Sequence, residues 1–155
     1  MTHYSTLVQA KGCHPLLNAA WKRVLVIEDD GCVGLAIQMI LKRRGCETML
    51  ASRAHAGISA FQLTGYDVAI VDVFLPGMNG LETIKRLRYL ASMLPIIAMS
   101  GFRFRNSTNS GSDFLEMAIE NGATAAIRKP FTPRQLISAI DASFATLAQS
   151  TGPAQ

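Results

Sequence analysis

The segments VLVIEDD (residues 24–30) and VAIVD (residues 68–72) decide the fold of this 155-residue chain. Each is a short apolar run that ends abruptly in acidic side chains. A continuous apolar run is typical of a strand buried on both faces, as the strands of parallel sheets are. Because an acid directly after a buried strand needs a chemical reason, the two segments also indicate where a functional site lies.

Around these segments, strand patterns alternate with helix patterns. After the first segment, apolar residues recur at the i, i+3, i+4, i+7, i+8 spacing of an amphipathic helix: Val33, Ala36, Ile37, Ile40 and Leu41. Alternation of this kind predicts an α/β fold in which a five-stranded parallel sheet has helices on both faces. Strands are predicted at residues 24–27, 47–51, 68–71, 95–99 and 124–128, and further helices at 53–63, from 79 to about 90, at 113–120 and from 132 onward.

Polar residues mark the predicted helix ends. Lys42–Arg44 complement the C-terminal dipole of the first helix, and Gly45 suits the left-handed cap that follows it. Asn79–Glu82 has the spacing of a capping box at the start of the third helix, and Thr132–Gln135 has it at the start of the last. Asp30 is interpreted as an N-cap or a solvated acid.

Composition indicates a globular chain and disfavours several classes of protein. Hydrophobic residues make up 49% of the sequence, yet no apolar run approaches the roughly 20 residues of a membrane helix. Cys13, Cys32 and Cys46 have no metal-like spacing, so we expect free thiols in a reducing, cytoplasmic compartment. The net charge is +4, and we assign the basic residues to helix ends and solvated faces rather than to a nucleic-acid surface.

Polar residues stand at the carboxyl ends of four predicted strands: Glu28 and Asp29 at the first, Asp72 at the third, Ser100 at the fourth and Lys129 at the fifth. In open α/β sheets, ligands bind at this edge. Crowded carboxylates repel one another unless a cation joins them, and two or three acids suffice for Mg²⁺. When a carboxylate attacks a phosphoryl group, Mg²⁺ and the Lys129 ammonium would neutralise the charge on the phosphoryl oxygens, and the Ser100 hydroxyl would donate a hydrogen bond to one of them. Singly, the acids also fit helix caps or solubilising loop residues and the Lys-Pro pair also fits a strand end, but together the five residues predict magnesium-dependent phosphoryl chemistry.

Four segments carry a family resemblance. VLVIEDD (24–30), DVFLPGMNG (72–80), PIIAMS (95–100) and KPF (129–131) resemble the corresponding segments of response-regulator receiver domains of two-component signalling. The resemblance implies a doubly wound, flavodoxin-like sheet with strand order 2-1-3-4-5. It implies phosphoryl transfer to Asp72 from a phosphohistidine on a histidine kinase or phosphotransfer protein, followed by slow self-catalysed dephosphorylation, with no other enzymatic activity.

The same resemblance assigns roles to single residues. Asp72 is the implied phosphoacceptor, and Ser100 and Lys129 are expected to hold the phosphoryl oxygens. We hypothesise that the Phe74 side chain slows hydrolysis by blocking the approach of water. The implied ligands of Mg²⁺ are the carboxylates of Asp29, Asp72 and, largely through water, Glu28, together with the backbone carbonyl of Phe74.

The patterned region sets the expected domain boundaries. Residues 1–22 are predicted to form a flexible N-terminal extension, residues 23–148 the receiver domain, and residues 149–155 a short polar tail. We therefore expect a stand-alone receiver, either a monomer or a phosphorylation-dependent dimer, with neither a nucleic-acid nor a membrane partner.

The sequence departs from the family pattern in two places. Many receivers carry an aromatic residue three positions before the lysine, where this chain has Ala126. The stretch Gly101–Ser112 is also longer than usual and contains the aromatic and basic residues of Phe102–Arg105. We hypothesise that phosphorylation orders this stretch in place of the missing aromatic switch, and an unrelated insertion is the alternative.

Three competing interpretations stay open. A receiver-like scaffold that is never phosphorylated would keep the fold, although the full set of site residues argues against it. An aspartate-nucleophile phosphatase would carry a second acid where this chain has Phe74. A flavin or dinucleotide-binding protein would need a glycine-rich turn after the first strand, and Gly31 and Gly34 alone do not make one.

Overall fold

The computed structural model describes residues 21–101 and 114–150 of the chain. Within these ranges strands and helices alternate, which confirms the predicted order of elements. The strands are β1 (Arg23–Ile27), β2 (Glu47–Ala51), β3 (Val68–Asp72), β4 (Ile96–Ser100) and β5 (Ala125–Arg128). The helices are α1 (Gly31–Lys42), α2 (Ala54–Thr64), α3 (Gly80–Leu90), α4 (Phe114–Glu120) and α5 (Pro133–Ser150).

The strands are parallel and lie in the order β2-β1-β3-β4-β5. This is the strand order that the family resemblance implies. The register brings the carboxyl ends of the central strands to one level, because Ile27 pairs with Val71 and Asp72 pairs with Met99. The polar residues at these strand ends therefore meet at a single edge of the sheet.

Each face of the sheet has its own apolar core, because alternate strand residues point to opposite sides. On one face, Leu25 and Ile27 lie among apolar residues of α2, α3 and α4. On the other face, Val24 and Val26 lie among those of α1 and α5. Every residue of β3 and β4 is buried, which is why their sequences are continuous apolar runs. Helices on both faces confirm the doubly wound architecture.

The buried face of α1 differs from the predicted one at a single position. Ile37 and Leu41 are fully buried, but Ala36 is exposed, so its assignment to the buried face was wrong. Successive helix residues lie about 100° apart around the axis, which places Ala36 beyond the stripe that contacts the sheet. Gly34 is buried instead, and a Cβ added there would lie 3.7 Å from the side chain of Leu50.

The predicted capping signals act at the helix ends. Asp30 Oδ1 accepts two backbone N–H groups of the first turn of α1, at 2.9 and 3.2 Å, so Asp30 is an N-cap. Asn79 Oδ1 accepts the N–H of Glu82 at 2.8 Å at the start of α3. Thr132–Gln135 caps α5 reciprocally, and Gly45 has the positive φ (75°) of a left-handed cap after α1.

The packed domain begins before β1. Trp21 is 3% exposed, and its ring stacks on Phe144 of α5 with 6.4 Å between ring centroids. Residues 1–20 of the predicted extension, residues 102–113 after Gly101 and residues 151–155 of the tail lie outside the described ranges. Among the helices within those ranges, none has the length and apolar character to cross a membrane.

Candidate functional site

Three acids meet at the carboxyl edge of the sheet. Glu28 and Asp29 follow β1, and Asp72 ends the adjacent strand β3. Each offers a carboxylate oxygen, and these three oxygens lie within 4.8 Å of one another. Glu28 and Asp72 are buried, at 6% and 4% exposed, whereas Asp29 is exposed to solvent. The structure therefore brings the three predicted acids together and leaves the cluster open on the Asp29 side.

Lys129 joins two of these acids. Its Nζ donates to Asp72 Oδ2 at 2.6 Å and to Glu28 Oε2 at 2.9 Å. Its backbone N–H donates to the carbonyl of Ser100 at 2.8 Å, which fixes the residue beside the end of β4. Hydrogen bonds between ionised partners are shorter and stronger than neutral ones. The ammonium is thus held directly against the carboxylate of Asp72.

Burial and hydrogen bonding set the charges in this cluster. Burial raises the pKa of Glu28 above its usual 4.5, and hydrogen bonds from Lys129 and from the Asp30 backbone offset part of that rise. Burial alone would lower the pKa of Lys129, but its hydrogen bonds to Asp72 and Glu28 outweigh this and raise the pKa above 10.5. Lys129 is therefore positively charged at neutral pH. Within the described residues, one ammonium contacts two acids of a three-acid cluster, so the cluster favours further positive charge.

Ser100 contributes an unused donor. It is 0% exposed at the end of β4, and its Oγ has no hydrogen-bond partner among residues 21–101 and 114–150. A buried polar group without a partner is uncommon and costs about 1–3 kcal/mol. The hydroxyl lies in the strand next to Asp72, so it is available to a group bound at this edge.

The turn after β3 orients the Asp72 carboxylate. The backbone N–H of Phe74 donates to Asp72 Oδ1 at 2.9 Å, while Oδ2 accepts from Lys129. Both carboxylate oxygens are thus directed by neighbouring donors. The role of the Phe74 carbonyl as a metal ligand stays a prediction.

Gly80 closes the same turn and had no functional role in the sequence-based predictions. Its N–H donates to the carbonyl of Val73 at 2.9 Å. A Cβ at this position would collide with the carbonyl oxygen of Asp72 and lie 2.5 Å from the Cα of Val73. Glycine therefore allows α3 to begin directly against Asp72. The sequence signals were a glycine at the start of a predicted helix and its place at the end of the segment DVFLPGMNG (72–80).

Phe114 is a second neighbour that the sequence did not reveal. It is the first residue of α4, and its ring meets the ring of Phe74 edge-on, with 4.7 Å between centroids and 69° between planes. Residues so far apart in sequence come together only through the tertiary fold. Phe102–Arg105, which the sequence singled out, lie outside the described residues.

The donors fit a hard divalent cation and a phosphoryl group. The acidic cluster offers carboxylate oxygens, which Mg²⁺ prefers, and its exposed side admits the waters that this ion retains. The unpartnered Ser100 hydroxyl and the Lys129 ammonium are donors suited to anionic oxygens. The residues present are therefore compatible with both groups.

The sequence of this chain matches those of known response regulators. Residues 24–141 match the sequence profile of the family described as "Response regulator receiver domain". Cell cycle response regulator CtrA from Brucella ovis and from Brucella abortus are each 32% identical over 120 residues, which cover 77% of this chain and 49% of theirs. The chain thus spans about half the length of these curated relatives.

Solved structures agree with the sequence match. A CheY-like receiver domain protein from Methanospirillum hungatei JF-1 superposes with a TM-score of 0.73 at 25% identity, over 84% of this chain and 98% of that one. The receiver domain of NtrX from Brucella abortus gives a TM-score of 0.69 at 25% identity, over 79% and 98%. The match runs from β1 into α5 and includes every site residue described above, so the chain belongs to the response-regulator receiver family.

Proposed function

We propose that this domain is a phosphoacceptor of a two-component or phosphorelay system, with Asp72 as the residue that receives the phosphoryl group. The observation that carries the proposal is the position of the Asp72 carboxylate. It lies 2.6 Å from the Lys129 ammonium, within one cluster with two further acids. A buried aspartate whose carboxylate lies beside a lysine ammonium is suited to attack an anionic phosphoryl group.

The proposed transfer is a displacement at phosphorus. A carboxylate oxygen of Asp72 forms the new P–O bond, the P–N bond to the donor's histidine breaks, and its electron pair returns to the imidazole nitrogen. The Lys129 ammonium and the Ser100 hydroxyl donate to the phosphoryl oxygens, on which negative charge is concentrated. When bound, Mg²⁺ supplies further positive charge to these oxygens. The residues that would hold it are Glu28, Asp29, Asp72 and, through its backbone carbonyl, Phe74.

The same pocket would also end the signal, because an acyl phosphate is open to attack by water. We propose slow self-catalysed dephosphorylation as the other reaction of the domain, with no separate enzymatic activity. The side chain of Phe74 is 37% exposed two residues after Asp72 and is proposed to hinder the approach of water. A Phe74→Asn variant should therefore lose its phosphoryl group faster, and an unchanged lifetime on a phosphate-affinity gel would reject this role.

Partner and location follow from the proposed chemistry. The phosphodonor would be a histidine kinase or a histidine phosphotransfer protein. A cytoplasmic location is part of the proposal. It is supported by Cys32 and Cys46, which are free thiols as expected in a reducing compartment.

Phosphorylation with a small donor tests the proposal directly. The full chain is incubated with acetyl phosphate and Mg²⁺ and run on a phosphate-affinity gel beside Asp72→Asn and the matched surface control Asp141→Asn. We expect a retarded band for wild type and Asp141→Asn that is absent in Asp72→Asn and after chelation of Mg²⁺. If folded wild type gives no retarded band, the domain is a receiver-like scaffold rather than a phosphoacceptor.

A further inference from the structure

The turn that follows Asp72 is anchored unevenly. Val73 and Leu75 are buried, at 2% and 7% exposed, whereas Phe74 between them points out of the core. Yet the backbone of Phe74 donates its N–H to Asp72 Oδ1 at 2.9 Å. A contact that restrains the Phe74 side chain therefore also restrains the backbone that is hydrogen-bonded to the Asp72 carboxylate.

Phe114 provides such a restraint. Its ring meets that of Phe74 edge-on at 4.7 Å, which is the arrangement that aromatic pairs favour. Phe114 is itself half-buried and packs against the apolar core under α2, α3 and α4. The ring thus connects the core on one side with the exposed Phe74 ring on the other.

The position of Phe114 also bears on the missing aromatic at Ala126. Ala126 in β5 is half-buried and packs against the same core cluster as Phe114. Its side chain is a single methyl group and offers no aromatic ring. The aromatic contact between the Asp72 turn and this side of the domain comes from the start of α4 instead.

We propose that Phe114 is a positioning residue for the phosphorylation site. It fixes the ring of Phe74, and so the backbone that contacts Asp72 and that, under the proposed function on which this inference rests, gives a carbonyl to Mg²⁺. Because coupling between two sites is reciprocal, Mg²⁺ bound at the acids also stabilises the position of α4. Mg²⁺ affinity is then set partly from a helix that carries no ligand to the ion.

Titration with Mg²⁺ alone tests this inference. The dissociation constant is measured from backbone amide NMR signals of Asp29 and Phe74 in the full chain. Phe114→Ala should weaken Mg²⁺ binding by about 2- to 10-fold, the effect of one aromatic pair. Phe114→Tyr, which keeps the ring, should restore most of the affinity. Ile119→Ala is the matched control, since Ile119 lies in the same helix and is 45% exposed.

The possible outcomes distinguish a failure of the positioning role from a failure of the proposed function. Equal affinities for wild type and Phe114→Ala, or an equal loss in Ile119→Ala, would overturn the positioning role. Should Phe114→Ala fail to fold, as judged by Trp21 fluorescence, Phe114→Leu keeps the apolar volume and removes the edge-on geometry, and the same loss of affinity is expected. Wild type that binds no Mg²⁺ would instead refute the proposed function, a result visible before any variant is compared.

Discussion

The two edges of the sheet each hold a partly buried cation, and they use it in opposite ways. At the carboxyl edge, Lys129 contacts the carboxylates of Glu28 and Asp72. At the amino edge, Arg88 at the end of α3 donates to neutral acceptors. These are the carbonyls of Gly122, Ala91 and Ser92 and the hydroxyl of Thr124, at 2.6–3.2 Å.

The two edges differ in the pKa shifts of their cations and in the polar groups that have no partner. Hydrogen bonds to acids raise the pKa of Lys129, whereas burial without an acid lowers the pKa of Arg88. The carboxyl edge keeps an excess of acids and an unpartnered Ser100 hydroxyl, within the described part of the chain. At the amino edge the guanidinium joins the end of α3, the turn after it and the turn between α4 and β5. One edge is therefore prepared for a ligand, and the other stabilises the fold.

The largest expected effect is on the rate of phosphorylation, which should depend on Lys129 and not on Arg88. Lys129→Gln should slow phosphorylation by acetyl phosphate by about 100-fold or more, because the variant lacks the ammonium that neutralises the phosphoryl oxygens. Initial rates on a phosphate-affinity gel measure this. The control is Lys85→Gln in α3, an exposed lysine that should leave the rate unchanged. A Lys129→Gln rate within a few-fold of wild type would mean that the ammonium has only a structural role.

The reverse effect is expected at the amino edge. Arg88→Met should lower the free energy of unfolding by about 2–3 kcal/mol, because half-buried carbonyls lose charged donors. The folded variant should be phosphorylated at the wild-type rate. Urea unfolding followed by Trp21 fluorescence measures the stability, and Arg86→Met, two residues earlier and exposed, is the control. Equal stability of the two variants would contradict the structural role of Arg88.

These two edges also differ in how far the sequence predicts them. The strand-end rule located Glu28, Asp72 and Lys129 because a polar residue after a buried apolar run is conspicuous. Arg88 was assigned to a helix end or solvated face, and the structure confirms only the helix end. Its partner Gly122 lies far along the chain, and no local pattern encodes such a contact. The same holds for the contact of Phe114 with Phe74, which depends on where α4 packs.

Glycine substitutions sharpen the comparison within the carboxyl edge. Gly80→Ala should destabilise the fold by about 2 kcal/mol, because the added methyl collides with the backbone of Asp72 and Val73. Gly31→Ala, at the start of α1, is the control, since a Cβ there has nothing within 4 Å. Thermal unfolding of both variants checks this. A melting temperature for Gly80→Ala equal to that of wild type would show that the turn has room to move.

The smallest expected effect is a difference in reaction rate between the thiols of Cys32 and Cys46. Cys32 is exposed in the first turn of α1, whereas Cys46 is buried beside Trp21 and burial raises the pKa of its thiol above 9.0. The folded protein holds the Cys46 proton more tightly than the unfolded chain does. The resulting contribution to the free energy of unfolding is therefore fully present below pH 9 and is lost as the pH rises through the pKa of Cys46 in the folded protein. In a Cys13→Ser background at pH 8, Cys46 should react with a disulfide reagent about 10-fold more slowly than Cys32. Equal rates would show that the Trp21 region opens readily.

The site of phosphorylation tests the central claim most directly. Wild type is treated with acetyl phosphate in the presence or absence of Mg²⁺ and then reduced with borohydride, which converts an aspartyl phosphate to homoserine. Peptide mass spectrometry should find homoserine at position 72 when Mg²⁺ is present and aspartate there when it is chelated. Homoserine at another position, or an intact Asp72 in both samples, would contradict the account.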